Sequence, residues 1–339
     1  MSTDVERRES KRGGFFKQLR KRLTSAKDEE KREKEKQQET ILTMESPPSP
    51  KKDRNGCHVY EGVCLPLSVS TQTLDVIKTL DVREDDVWIL NYPRSGGIWI
   101  QEIVLCIMYK ADIDAINNIP LTDRLSLLES IESSQNKQYP TFDNFENMES
   151  PRLVHTSLPY HMLPMKIHSK KPKIIYLARN PKDVIASYYT YYQNSPEYTS
   201  TEWDKFLEDF IKGNVAYGSW YPHLSTWWME YRTSNNVLFL KYEDMIKDLR
   251  SIVIQTALFL GKRLDDDLVD AITSHCTFQN MKNRSEEGNG KMSTYFTKGE
   301  VGAWEDKFTV TQNKQYDAEI DKHLLGTGLR FDYEHVVAE

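Results

Sequence analysis

The chain has 339 residues, 38% of them apolar and 28% charged, enough to bury a sizeable core and too apolar for a protein disordered throughout. Its formal charge of −6 is unevenly spread: residues 1–54 hold 16 Lys and Arg against 11 Asp and Glu, which leaves a net −11 on the remainder. An acidic body argues against a nucleic-acid-binding surface, which needs a dense basic face, so any anion site must be local.

Residues 1–54 are charged, proline-punctuated and nearly free of large apolar side chains after Leu23, the composition of a disordered extension. Within them KRGGFFKQLRKRL carries six basic residues and no acid, with Phe15, Leu19 and Leu23 on one helical face. It reads either as a solubilising or address segment or as a weak contact with an anionic membrane surface or a partner. From Tyr60 onward strand and helix patterns alternate: VWILNY (87–92) and then a helix over 99–109; PKIIYLAR (172–179) and then a helix opened by Pro181; NVLFLKYEDM (236–245) as a third strand. Further helices are expected in TEWDKFLEDFIKG, GSWYPHLSTWWMEYR, LRSIVIQTALFLG and DDDLVDAITSH. This alternation predicts a single α/β domain over residues 55–339, with a mostly parallel sheet flanked by helices on both faces.

Ile98–Tyr109, the most apolar stretch, is too short and too polar to span a bilayer, and the amino terminus lacks the apolar core of a signal peptide, so a cytoplasmic location is expected. Cys57, Cys64, Cys106 and Cys276 form no CxxC pair and no evident cluster with histidine, so neither a disulfide framework nor a metal site is expected.

Chemistry concentrates in NYPRSGGIW (91–99), where a strand runs through a glycine-bearing turn into a helix. Free N–H groups and the helix dipole favour an anion there. The GxxxxGK[ST] spacing is absent, since Arg94 precedes Gly96 and Gly97, which argues against a nucleotide kinase. Alone, the segment is equally an ordinary turn.

Four segments in order carry more than any one of them. YPRSGGIW, LARNPKDVIASYY, YGSWYPHLSTWW and FTKGEVGAWEDKFT resemble the landmarks of the cytosolic sulfotransferases, and the likeness covers about residues 58–333. The resemblance implies a P-loop-like core that binds 3′-phosphoadenosine 5′-phosphosulfate (PAPS) and passes its sulfonyl group to a hydroxyl or amine of a small-molecule acceptor, with no metal. It places Arg94, Ser95, Gly96, Gly97 and Ile98 at the 5′-phosphosulfate and Trp99 beside the adenine. Arg179 and Ser187 would hold the 3′-phosphate, Tyr217, Thr277, Phe278 and Met281 would line the nucleoside, and Lys298 and Gly299 would close over the 3′ side.

Departures from the family cluster at the reacting centre. The family's KTHLP appears as His155-Thr156-Ser157-Leu158-Pro159, so Ser157 stands where the resemblance implies the histidine base. A serine hydroxyl takes no proton at neutral pH without a base of its own. His155, two residues earlier on an expected strand, lies on the same face; it reads either as a base acting through a water or as a polar wall of the site. The loop threonines are Gly97 and Ile98, which removes two hydroxyl donors, and the closing arginine is Thr297, which removes a charge. The sequence therefore predicts a PAPS-dependent transferase with weakened cofactor contacts, the alternative being a catalytically impaired binding protein of the same fold. The family's KxxxTVxxxE dimer segment appears with its charges exchanged, Glu305-x3-Thr309-Val310-x3-Lys314. An antiparallel two-fold would set Glu305 against the partner's Lys314, so a homodimer is expected.

Overall fold

A computed structural model describes residues 56–118, 126–130, 142–287, 296 and 298–338. The expectations for residues 1–54 and for Thr297 lie outside these residues. The chain after the extension opens with a hairpin, β1 (Cys57–Tyr60) against β2 (Val63–Pro66), and helix α1 (Thr71–Thr79), capped by the Ser70 hydroxyl on the Thr73 N–H. Neither stood out in the sequence.

The central sheet comprises β3 (Val87–Asn91), β4 (Ser126–Leu127), β5 (Leu153–Thr156), β6 (Lys173–Ala178) and β7 (Val237–Lys241), parallel throughout in the order β4-β5-β3-β6-β7. All five residues of β3 are buried. Strand side chains alternate between two apolar clusters: Trp88, Leu90, Val154, Ile174 and Tyr176 face one, and Val87, Ile89, Leu153, Ile175 and Leu177 face the other. That alternation is the period of two of an extended chain, and it explains why the strands read as continuous apolar runs. The first cluster is covered by α3 (Pro181–Asn194), α4 (Trp203–Lys212) and α5 (Trp220–Tyr231). The second is covered by α2 (Gly97–Met108), α6 (Leu249–Leu260), α7 (Asp266–His275) and α8 (Phe278–Glu287).

The third strand ends earlier than its pattern suggests. Lys241 closes β7, and Tyr242–Lys247 turns into a short helix with Glu243 and Asp244 in its first turn, where the dipole favours acids. Helix α2 begins at Gly97, two residues before the expected start at 99. The chain finishes with β8 (Glu300–Val301), a 3₁₀ turn over Ala303–Asp306 that holds Glu305, helix α9 (Val310–Leu324) and β9 (Val336–Val337), which pairs with β8. Thr309 caps α9 through a reciprocal pair with Gln312, Val310 is 74% exposed, and Glu305 and Lys314 are both exposed. No helix among the described residues is long and apolar enough to cross a membrane.

Candidate functional site

A cavity of about 470 Å³ opens at the carboxyl ends of β3, β5 and β6, where ligands of open α/β sheets sit. Its floor is the turn from β3 into α2. Arg94 (φ 68°) and Gly96 (φ 96°) take the left-handed conformation, and a Cβ on Gly96 would lie 2.6 Å from the Tyr242 ring, so glycine is required there. Gly96, Gly97 and Ile98 line the cavity, which aims the start of α2 into it. Ser95 is fully buried, and its hydroxyl has no hydrogen-bond partner among the described residues.

Gly97 is a glycine for a different reason. A Cβ there would meet Asn91 Oδ1 at 2.4 Å, so the Asn91 side chain occupies the space that a threonine would need. Asn91 Nδ2 donates to Tyr92 O (2.9 Å), which turns its oxygen toward His155 Nε2 at 2.8 Å. The imidazole is therefore the Nε2–H tautomer, with its lone pair on Nδ1.

Arg179, at the end of β6, forms the second wall. Its guanidinium lies 4.0 Å from the Tyr242 ring centroid and donates to Glu300 O (2.9 Å) and Arg94 O (3.3 Å), while its buried Nε has no partner among the described residues. The following helix is capped by Asn180, whose side chain accepts from the Asp183 N–H. Asp183 in turn receives the N–H groups of Gly302 and Trp304, both at 3.0 Å, and so clasps the closing segment onto α3. Arg94 Nε donates to Ser187 Oγ at 3.0 Å. Residues assigned to opposite phosphates by the sequence reading are thus bonded to each other. Lys298 does not line this cavity; it lies in an adjoining hollow shared with Arg179 and Ser187, paired with Asp306 and with Glu300 (3.3 Å).

The third wall is aromatic. Trp99 donates from Nε1 to Cys276 O (2.6 Å) and meets Tyr242 and Phe278 edge-on; with Tyr217, also left-handed at φ 66°, Trp99 and Phe278 line the cavity. Thr277, Met281 and Gly299 were expected here and are not lining residues. The Thr277 hydroxyl is used at the start of α8, where it accepts from Asn280 N (3.3 Å) and donates to Ser274 O (3.3 Å). Met281 is buried in the second core cluster, and Gly299 backs Phe278, whose ring would lie 2.4 Å from a Cβ at that position. Behind Trp99 the Cys106 and Cys276 thiols lie 3.9 Å apart, and His275 Nε2 is 2.8 Å from Glu102 Oε1. Cys106 therefore does meet a histidine, contrary to the sequence expectation, because α2 and the end of α7 place residues about 170 apart side by side. Hydrogen bonds from Cys276 and His275 lower the Cys106 thiol below its ordinary range.

The remaining wall holds His155 and Ser157 together, as the sequence reading required. Strand β5 stops at Thr156, so Ser157 lies just past it, and its N–H donates to Glu129 Oε1 at 2.6 Å. Glu129, in the middle of the 3₁₀ turn after β4, also lines the cavity; burial pushes its carboxyl up to about 7. Burial lowers His155 to about 4, so the ring is neutral. His223 is also neutral, lowered to about 4 by burial, and joins Ser157 O (2.9 Å) to the Tyr176 hydroxyl (2.8 Å). Sequence reasoning missed Glu129, which no motif marks, and gave no role to Asn91, although it heads the 91–99 segment.

The sulfotransferase domain profile matches residues 84–328. The chain is 36% identical to bovine sulfotransferase 1E1 over 265 residues, covering 75% of this chain and 88% of that one. It is 34% identical to human sulfotransferase 4A1 over 291 residues, covering 85% and 97%. Its fold matches mouse sulfotransferase SULT7A1 complexed with PAP at a TM-score of 0.68 and 32% identity, over 80% of this chain and 95% of that one. Profile, relatives and fold agree, and the chain belongs to the sulfotransferase family, whose members transfer a sulfonyl group.

Proposed function

We propose that the cavity binds PAPS and that the protein transfers its sulfonyl group to a hydroxyl or amine of a small-molecule acceptor. When bound, PAPS supplies the sulfonyl group on a phosphate leaving group. The reading rests on two buried polar atoms without partners among the described residues, Ser95 Oγ beneath the 94–97 turn and Arg179 Nε in the facing wall. An unpaired buried donor costs about 1–3 kcal/mol, and anionic oxygens satisfy both at once. Arg94, Ser95 and the N–H groups that open α2 hold the 5′ side. Arg179 and Ser187 hold the 3′ phosphate, and Trp99, Tyr217 and Phe278 take the base. Lys298 contributes from the adjoining hollow, and Gly299 by keeping Phe278 in place. The cited resemblance to a chain complexed with PAP supports the same donor.

The protein acts in the cytoplasm as a homodimer joined through Glu305, Thr309, Val310 and Lys314, a reading supported by the strong exposure of Val310 between the two charges. Binding of 3′,5′-adenosine bisphosphate (PAP) by calorimetry, together with transfer of labelled sulfonate from PAPS to a panel of phenols, alcohols and amines, tests the function. Absence of PAP binding overturns the cofactor assignment. Binding without transfer to any acceptor overturns the enzymatic one.

A further inference from the structure

A hydroxyl acceptor must lose a proton as it attacks, and Ser157 can take it only if something takes the serine's own. The structure supplies a carboxylate for that purpose. Glu129 is 2% exposed and lines the cavity beside Ser157; its Oε1 already receives the Ser157 N–H, and its Oε2 has no partner among the described residues. One serine can address both oxygens of a carboxylate, and elsewhere in this chain one does. Ser251 donates its N–H to one oxygen of Asp248 (2.9 Å) and its hydroxyl to the other (2.5 Å). The same arrangement at Ser157, whose N–H already holds Oε1, would bring its hydroxyl to Glu129 Oε2.

We propose that Ser157 and Glu129 form a proton relay for the acceptor. This rests on the transferase reading above. As the acceptor oxygen bonds to sulfur and the sulfur–phosphate oxygen bond breaks, the electron pair of that bond leaves on the phosphate. The acceptor proton passes to Ser157 Oγ while the Ser157 proton passes to Glu129 Oε2, so Ser157 ends neutral and Glu129 ends as the acid.

His155 is the competing base and is the weaker one. One of its nitrogens is held by Asn91, and the ring accepts a proton only near pH 4, whereas Glu129 does so at neutral pH, where a general base is most effective. His223 is occupied at both nitrogens. Glu243, equally buried and also pushed up to about 7, is bonded to Asn180 and does not line the cavity, so it provides an internal control.

The test compares Glu129→Gln, which keeps an acceptor for the Ser157 N–H, with Ser157→Ala and His155→Ala. In the nucleotide-free protein, infrared difference spectra across pH 5–9 should show two carboxyls titrating near neutrality, one of which is lost in Glu129→Gln and the other in Glu243→Gln, so that only the double variant is silent. In turnover, Glu129→Gln and Ser157→Ala should each lower kcat on aliphatic alcohols at least 100-fold, and less than tenfold on acidic phenols, with PAP affinity unchanged. Glu129→Gln should also remove the kcat limb near pH 7, and His155→Ala should leave that limb in place. Parent-like alcohol turnover in a Glu129→Gln protein that binds PAP overturns the relay. If that variant does not fold, a Ser157→Ala protein with parental kcat and pH profile overturns it. A parent protein that binds PAP and transfers to nothing refutes the underlying transferase reading instead.

Discussion

Restoring a threonine at position 97 should fail unless Asn91 is removed with it. The Cβ of Gly97→Thr would lie 2.4 Å from Asn91 Oδ1, 2.9 Å from Cγ and 3.0 Å from Nδ2, all inside contact distance on a side chain tied to Tyr92 O and His155. Overpacking of this kind costs about 1–3 kcal/mol, and about 1 kcal/mol moves the Tm of a domain this size by about 2–4 °C. Gly97→Thr alone should therefore lower Tm by several degrees and weaken PAP binding. Asn91→Ala alone strands the His155 N–H and costs about 1–3 kcal/mol. In the double variant the clash is gone, so its Tm should be no lower than that of Asn91→Ala. The restored hydroxyl, worth about 0.5–1.5 kcal/mol, should tighten PAP about two- to tenfold over that single variant. Calorimetry and thermal melts on the four proteins give the coupling energy, expected at about 1–3 kcal/mol. Additive effects, with Gly97→Thr costing the same in both backgrounds, would refute the argument that Asn91 fills the threonine's place.

Arg179→Ala should weaken PAP binding at least 100-fold by calorimetry, since a guanidinium–phosphate contact is worth about 1.5–3 kcal/mol per bond and more than one is lost. Glu129 titrates higher in the fold than in the unfolded chain, so its stability contribution is full below about pH 4.5 and is lost as pH rises through about 7. Melting curves should accordingly show Glu129→Gln gaining on the parent between pH 5 and pH 8. Glu305→Lys should shift the protein toward monomer in sedimentation, and adding Lys314→Glu should restore the dimer. Deleting residues 1–54 should leave Tm and PAP affinity nearly unchanged.

The sheet was legible because its central strands are buried on both faces and so appear as unbroken apolar runs flanked by turn chemistry. Pro181 after Asn180, and Gly213 and Gly261 at helix ends, marked boundaries that the structure keeps. The 94–99 and 179–187 segments lie together at one cavity, as their motifs implied. What the sequence hid depends on pairing. β4 is two residues long and acquires meaning only through its register with β5, Leu127 opposite His155, which brings Glu129 to Ser157. Asn91 became interpretable only once its side chain was found in the space left by Gly97. Thr277 and Met281 lie within two helical turns of the cavity residue Phe278, yet a capping hydrogen bond claims one side chain and the core claims the other.

The clasp made by Asp183 has a consequence for how the protein is born. Its carboxylate holds Gly302 and Trp304, 119 and 121 residues downstream, and the neighbouring Lys182 reaches further still, to Asn313 and Asp317 on α9. The wall that carries Arg179 and Ser187 is therefore completed by residues synthesised more than a hundred positions later. Contacts this distant in sequence form slowly and late. During synthesis the turn at 94–97 and helix α3 must persist without their closing segment, with buried polar groups still exposed. A truncation reaching into α9 should therefore yield a protein captured by chaperones rather than a weaker enzyme.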